Sequence, residues 1–166
     1  MPFTYTEIPR EACIEMCETL ARTNARWHIH ALNPGCAFNP KPSLFCFVIE
    51  DTDRAETWCA FSRQSFVETC KHVVQLLHGE AILDPQKRDR RALDHPLVQS
   101  VHEATRRGAH WHHHMMMPGC VISPDPDSYV ITLERDDCED ILDLRSASPL
   151  DEVLREIELA YFASHK

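Results

Sequence analysis

Two histidine pairs carry the chemistry of this chain: His28 and His30 with a single residue between them, and His112 and His114 spaced alike. On a β-strand, side chains two residues apart share a face, so both imidazoles of a pair can converge on one divalent transition metal. The pairs are also related to each other. From Trp27 to Asp51 the chain realigns on Trp111 to Arg135 without a gap, at a constant offset of 84 residues. Trp27/Trp111, His28/His112, His30/His114, Pro34/Pro118, Gly35/Gly119, Cys36/Cys120, Pro40/Pro124, Pro42/Pro126 and Glu50/Glu134 are identical. Chance would supply roughly one or two identities over such a stretch. Both histidines survive in each copy while their neighbours differ, Ile29 against His113 and Ala31 against Met115.

The repeated acids and thiols extend the constellation. Glu50 and Glu134 are candidate catalytic groups for proton transfer or completing ligands, against the plain alternative of solvated strand ends. Cys36 and Cys120, each behind a Pro-Gly turn, are ligands, nucleophiles or small buried residues. If the two histidine strands are neighbours, four imidazoles can surround one ion. If they lie apart, each pair needs Glu50, Glu134, Cys36 or Cys120 to finish its own site. A closed tetrahedral set suits structural zinc, whereas iron, manganese or nickel can keep open positions for substrate or dioxygen. Arg22 and Arg106 also recur, either to hold a carboxylate or phosphate or to sit against a helix C-terminus. Met115, Met116 and Met117 are consecutive and cannot all face one ion, so core filling is the reading for them.

The elements that must position these groups follow the same order in each copy. Apolar spacing predicts a helix over Pro9 to Arg22 and another around Leu97 to Ala104, the latter starting near Asp94 and Pro96 and ending before Gly108. Each leads into a histidine strand, then a type II turn at Pro34-Gly35 or Pro118-Gly119. Alternating strands follow at Leu44 to Glu50 and Ser128 to Glu134, with Phe45, Phe47 and Ile49, or Tyr129, Ile131 and Leu133, on the core face. A shorter strand around Thr57 to Phe61, or Asp140 to Leu144, precedes a closing helix opened by Ser65 or Ser148. The expected fold class is α+β, an internal duplication of an α-β-β-β-α unit with mostly antiparallel sheet. Residues 1–166 are expected to form one compact domain of two repeats, about 5–78 and 89–163, joined by a linker at 79–91 and packed around a pseudo-twofold axis.

Composition narrows the function classes. The chain has 166 residues, 43% hydrophobic and 26% charged, as in ordinary folded proteins. A net charge of -9 opposes nucleic-acid binding, which rests on neutralising phosphates. No apolar run is long enough to cross a bilayer. The first residues lack the basic start and apolar stretch of a secretory signal, and eight cysteines without one read as reduced thiols. The expectation is therefore a cytoplasmic protein without nucleic-acid or membrane partners, acting on a small-molecule substrate, with homo-oligomerisation open.

The segment His110-Trp111-His112-His113-His114-Met115-Met116 resembles the His-x-His-x-His motif of the histidine-triad nucleotide hydrolases. That resemblance implies His112 as nucleophile, although the first copy, Arg26-Trp27-His28-Ile29-His30, lacks the leading histidine. A cupin is similar in its His-x-His, but its glutamate should follow closely where this chain has Pro34. The reading that uses most of the repeated residues is a small metalloenzyme. In it His28, His30, His112 and His114 bind a divalent transition metal (Zn, Fe, Mn or Ni), and the metal activates water, dioxygen or an oxygen-rich substrate. The alternatives are a metal-binding or sensing protein without catalysis, and a histidine-triad-like hydrolase.

Overall fold

The computed structural model describes residues 3–23, 25–78, 84, 86, 90–135 and 141–164. Among them the chain is α+β, with two sheets and five helices. It divides into two compact units, unit 1 comprising residues 1–79 and 119–123 and unit 2 comprising 80–118 and 124–166. No helix is long and apolar enough to cross a membrane.

In unit 1 the order is β1 (Thr6–Glu7), α1 (Ala12–Ala21), β2 (Trp27–Leu32), β3 (Phe45–Asp51), β4 (Glu56–Ser62) and α2 (Val67–His78). The sheet runs β1-β4-β3-β2. β2, β3 and β4 pair antiparallel. β1 was not expected; it adds parallel to β4, and two residues are too few to show a period. α1 forms because Cys13, Cys17 and Leu20 recur at helical spacing, and these are the side chains it buries. Ser65 stands just ahead of α2, its Oγ accepting from the Val67 backbone N–H at 3.2 Å. The β3–β4 turn is held by Asp51, whose Oδ1 accepts from the N–H groups of Asp53 (3.1 Å) and Arg54 (3.2 Å).

Both faces of this sheet are buried, whereas only one was expected to be core. Phe47 and Ile49 face one way, and Phe47 packs its ring 5.6 Å from that of Phe66. On the other face Leu32, Cys46, Val48 and Cys59 form a second apolar cluster that also takes in Cys36 and is flanked by Phe38 and Phe61. The continuous apolar run Phe45 to Ile49 is the signature of a strand covered on both sides. One consequence is that Glu50, at the end of that second face, lies beneath protein and not water.

Gly35 has φ 84 and Gly119 has φ 87, as the turns after the histidine strands require. A Cβ at Gly35 would meet no atom within 4 Å, so Gly35→Ala costs only the left-handed conformation, about 1–2 kcal/mol. The expected result is a modestly lower thermal midpoint with unchanged metal content.

Unit 2 comprises α3 (Arg90–Leu93), α4 (Pro96–Arg106), β5 (Trp111–Met116), β6 (Tyr129–Arg135), β7 (Ile141–Ser146) and α5 (Asp151–Ser164). Its sheet is β5-β6-β7, antiparallel throughout. The pairing Trp111↔Arg135 has the same offset from Trp27↔Asp51 as the sequences have. Trp111 packs edge-on against Tyr161 of α5, ring centroids 5.5 Å apart.

α4 starts at Pro96 and is capped by His95, whose Nδ1 accepts from Leu97 N–H at 3.1 Å. Ser148 turns its hydroxyl to Ser146 (3.3 Å), and α5 begins at Asp151. Most of the expected linker 79–91 lies outside the described residues, including Lys87 and Arg88, but its end at 90–91 begins α3.

Candidate metal centre

The strand register assembles the centre of unit 1. β2 pairs antiparallel with β3 so that His28 lies directly opposite Glu50 and His30 is the diagonal neighbour on the same face. The two imidazole rings stand edge to face, centroids 4.9 Å apart. His28 Nε2 is 2.5 Å and His30 Nε2 2.9 Å from the same carboxylate oxygen, Glu50 Oε2. Residues 119–123 bring the fourth group. Cys120 Sγ donates to that oxygen at 2.9 Å and lies 3.3 Å from His30 Nε2. The other oxygen, Oε1, accepts from the Val121 backbone N–H at 2.9 Å. That bond fixes the carboxylate plane and leaves Oε2 for the histidines and the thiol. Thr52 Oγ1, 3.4 Å from His28 Nδ1, sits behind the first imidazole, as the outer partners of metal-binding histidines do.

All four side chains are buried: His28 5%, His30 2%, Glu50 3% and Cys120 4% exposed. One donor atom from each lies within 4.8 Å of all the others. Burial by itself would push the Glu50 carboxyl up, but hydrogen bonds from His28 and His30, and their charge, outweigh it and hold the group well below the usual carboxylate range. The Cys120 thiol is pushed up by burial and by the neighbouring Glu50 charge. Without a cation the centre therefore pairs an ionised carboxylate with a protonated thiol. A divalent cation among these four atoms would reverse the balance on sulfur, since a coordinating thiol is deprotonated.

Unit 2 carries the same trio on β5 and β6. His112 faces Glu134 across the strands and His114 is the diagonal neighbour. His112 Nε2 bonds Glu134 Oε2, and His114 Nε2 lies 3.3 Å from that oxygen. The rings are again edge to face at 5.0 Å, and all three residues are buried. Glu50 and Glu134 are thus not solvated strand ends. Cys36, the sequence equivalent of Cys120, is buried in unit 1 beside Leu32 and Cys46.

Other histidines separate from the centre. His110 is exposed just before β5, and His113 stacks between Trp111 and Tyr161 on the opposite face (centroids 6.1 and 5.5 Å). Val121 and Thr52 were not anticipated. Val121 contributes backbone only, which leaves no trace in residue type, and Thr52 lies two positions beyond Glu50 without a counterpart in the second copy. No protein-family model matches this chain, and no curated protein is significantly similar to it.

Proposed function

We propose that this chain is a transition-metal-binding protein whose unit 1 supplies a four-donor site made by His28, His30, Glu50 and Cys120. The observation that carries this reading is the convergence of three side chains on one buried oxygen, Glu50 Oε2, with all four donor atoms within mutual reach. Buried ionisable groups gathered in this way are expensive unless paired or bound to a cation. Two imidazoles, a carboxylate and a thiol match zinc, or iron, and suit the harder manganese poorly. Four protein donors fill a tetrahedral shell, the pattern of a metal-holding site and not of a catalytic one, which keeps a position open. Glu50 and Cys120 accordingly act as ligands. The matching trio His112, His114 and Glu134, and the shared strand registers, support descent from a duplicated ligand-bearing unit, with Cys36 as the thiol equivalent to Cys120.

Metal-dependent catalysis on a small substrate draws less support, because a closed shell leaves no coordination position for it. Nucleotide hydrolysis through His112 draws less still: that imidazole is 3% exposed and engaged by Glu134.

The test is elemental analysis of protein purified without a histidine tag, with His30→Ala and His114→Ala beside it. The expected result is bound zinc or iron, with about half of it lost in each variant, as two separate ligand sets require. Protein that stays metal-free after incubation with either ion, while folded, overturns the proposal.

A further inference from the structure

Arg106 recurs with Arg22 in the sequence, and the metal-binding reading leaves it without a role. In unit 2 it lines a cavity of about 430 Å³ between α4 and the β5–β6 strands, together with Arg107, Arg135, Glu103, Trp111 and Leu133. Trp111 and Arg135 are cross-strand partners, and Leu133 shares their face. Strand alternation puts that face opposite His112, His114 and Glu134, so the cavity is separate from the metal ligands. Its volume is in the range of small-molecule sites.

The charge of the lining is what distinguishes it. The protein carries a net charge of -9, yet among the described residues that line the cavity are three arginines and one acid, Glu103. Glu103 holds two of them, at 2.6 Å from Arg106 Nη2 and 2.8 Å from Arg107 Nε. One carboxylate orients both without neutralising both. These pairs are largely exposed, so they constrain geometry more than they stabilise. Guanidiniums in such an array match the planar geometry of carboxylate and phosphate oxygens. The Trp111 indole and the Leu133 side chain give the same cavity an apolar wall. In unit 1 Arg22 matches Arg106, but Thr23 stands at the position of Arg107 and Asp51, which is spent on the β3–β4 turn, at that of Arg135.

We propose that this cavity binds a small organic oxyanion, a carboxylate or phosphate ester carried on a flat apolar body. The oxyanion is held by Arg106, Arg107 and Arg135, and the body lies against Trp111 and Leu133. The experiment is calorimetric titration of the full chain as purified, its metal in place, with phenyl phosphate, benzoate and inorganic phosphate. Arg106 at the end of α4 and the capping Arg107 are both exposed, so Arg106→Ala/Arg107→Ala is expected to keep the fold, which its circular dichroism checks. The expected result is saturable binding of phenyl phosphate or benzoate, tighter than inorganic phosphate, and weaker by about tenfold or more in the double variant. Which of the two aryl anions binds better identifies the headgroup. Absence of saturable binding, equal affinity for inorganic phosphate, or undiminished binding to the double variant overturns the proposal.

Discussion

Glu50→Gln is expected to weaken zinc binding by unit 1 at least about a hundredfold while leaving the fold intact, since loss of outer partners alone reaches tens of fold. Gln keeps the shape of Glu, and an amide oxygen in place of Oε1 still accepts from the Val121 N–H. What disappears is the charge at Oε2, on which His28, His30 and Cys120 all converge. Competition with a chromophoric chelator measures the change, with Glu134→Gln as a comparator that leaves unit 1 untouched. Wild-type affinity in Glu50→Gln would remove the carboxylate from the ligand set. The same titrations carry a pH signature. Because burial and Glu50 keep the Cys120 thiol protonated without metal, uptake must release its proton, and apparent affinity must rise as pH rises. Cys120→Ser removes that contribution.

The histidine strands were legible because a period of two is short and local: His28 with His30, and His112 with His114, needed only strand geometry to share a face. Their acids were legible through the repeat, which singled out Glu50 and Glu134 when neither shows any motif of its own. What the repeat could not convey is which role the acids play, since that depends on burial of the second sheet face. Cys46 and Val48 on that face are compatible with either a half-exposed or a covered strand. Cys120 joining His28 and His30 is a contact across ninety residues of sequence, and nothing in local pattern specifies it. The strand β1 and the helix α3 escaped for a simpler reason: two and four residues give no periodicity to read. The cavity beside Trp111 was foreshadowed only by Arg106, because Arg107 and Arg135 have no counterparts in the first copy.

Glu158→Gln is expected to stabilise the protein at alkaline pH and to do little at acid pH. Glu158 lies on α5 among Leu154, Ile157 and Tyr161, is 6% exposed, and its Oε2 has no hydrogen-bond partner among the described residues. Burial pushes its carboxyl up to about 8. In the unfolded chain the group ionises near the ordinary glutamate value, so between there and about 8 the folded state holds the extra proton. Stability from this group is therefore fully present below the unfolded value and is lost as pH rises through about 8, beyond which a buried charge is retained. The slope inside the window is about 1.4 kcal/mol per pH unit, which makes the total a few kcal/mol, on the order of 5 at most. Glutamine is neutral throughout and of the same size, so it escapes that loss. Urea denaturation of both proteins at about pH 5.5 and about pH 8.5 measures the effect as a difference of differences, in which titrations common to both proteins cancel. A gap between variant and wild type that is the same at the two pH values would mean that Glu158 is ionised, and compensated, in the native protein throughout.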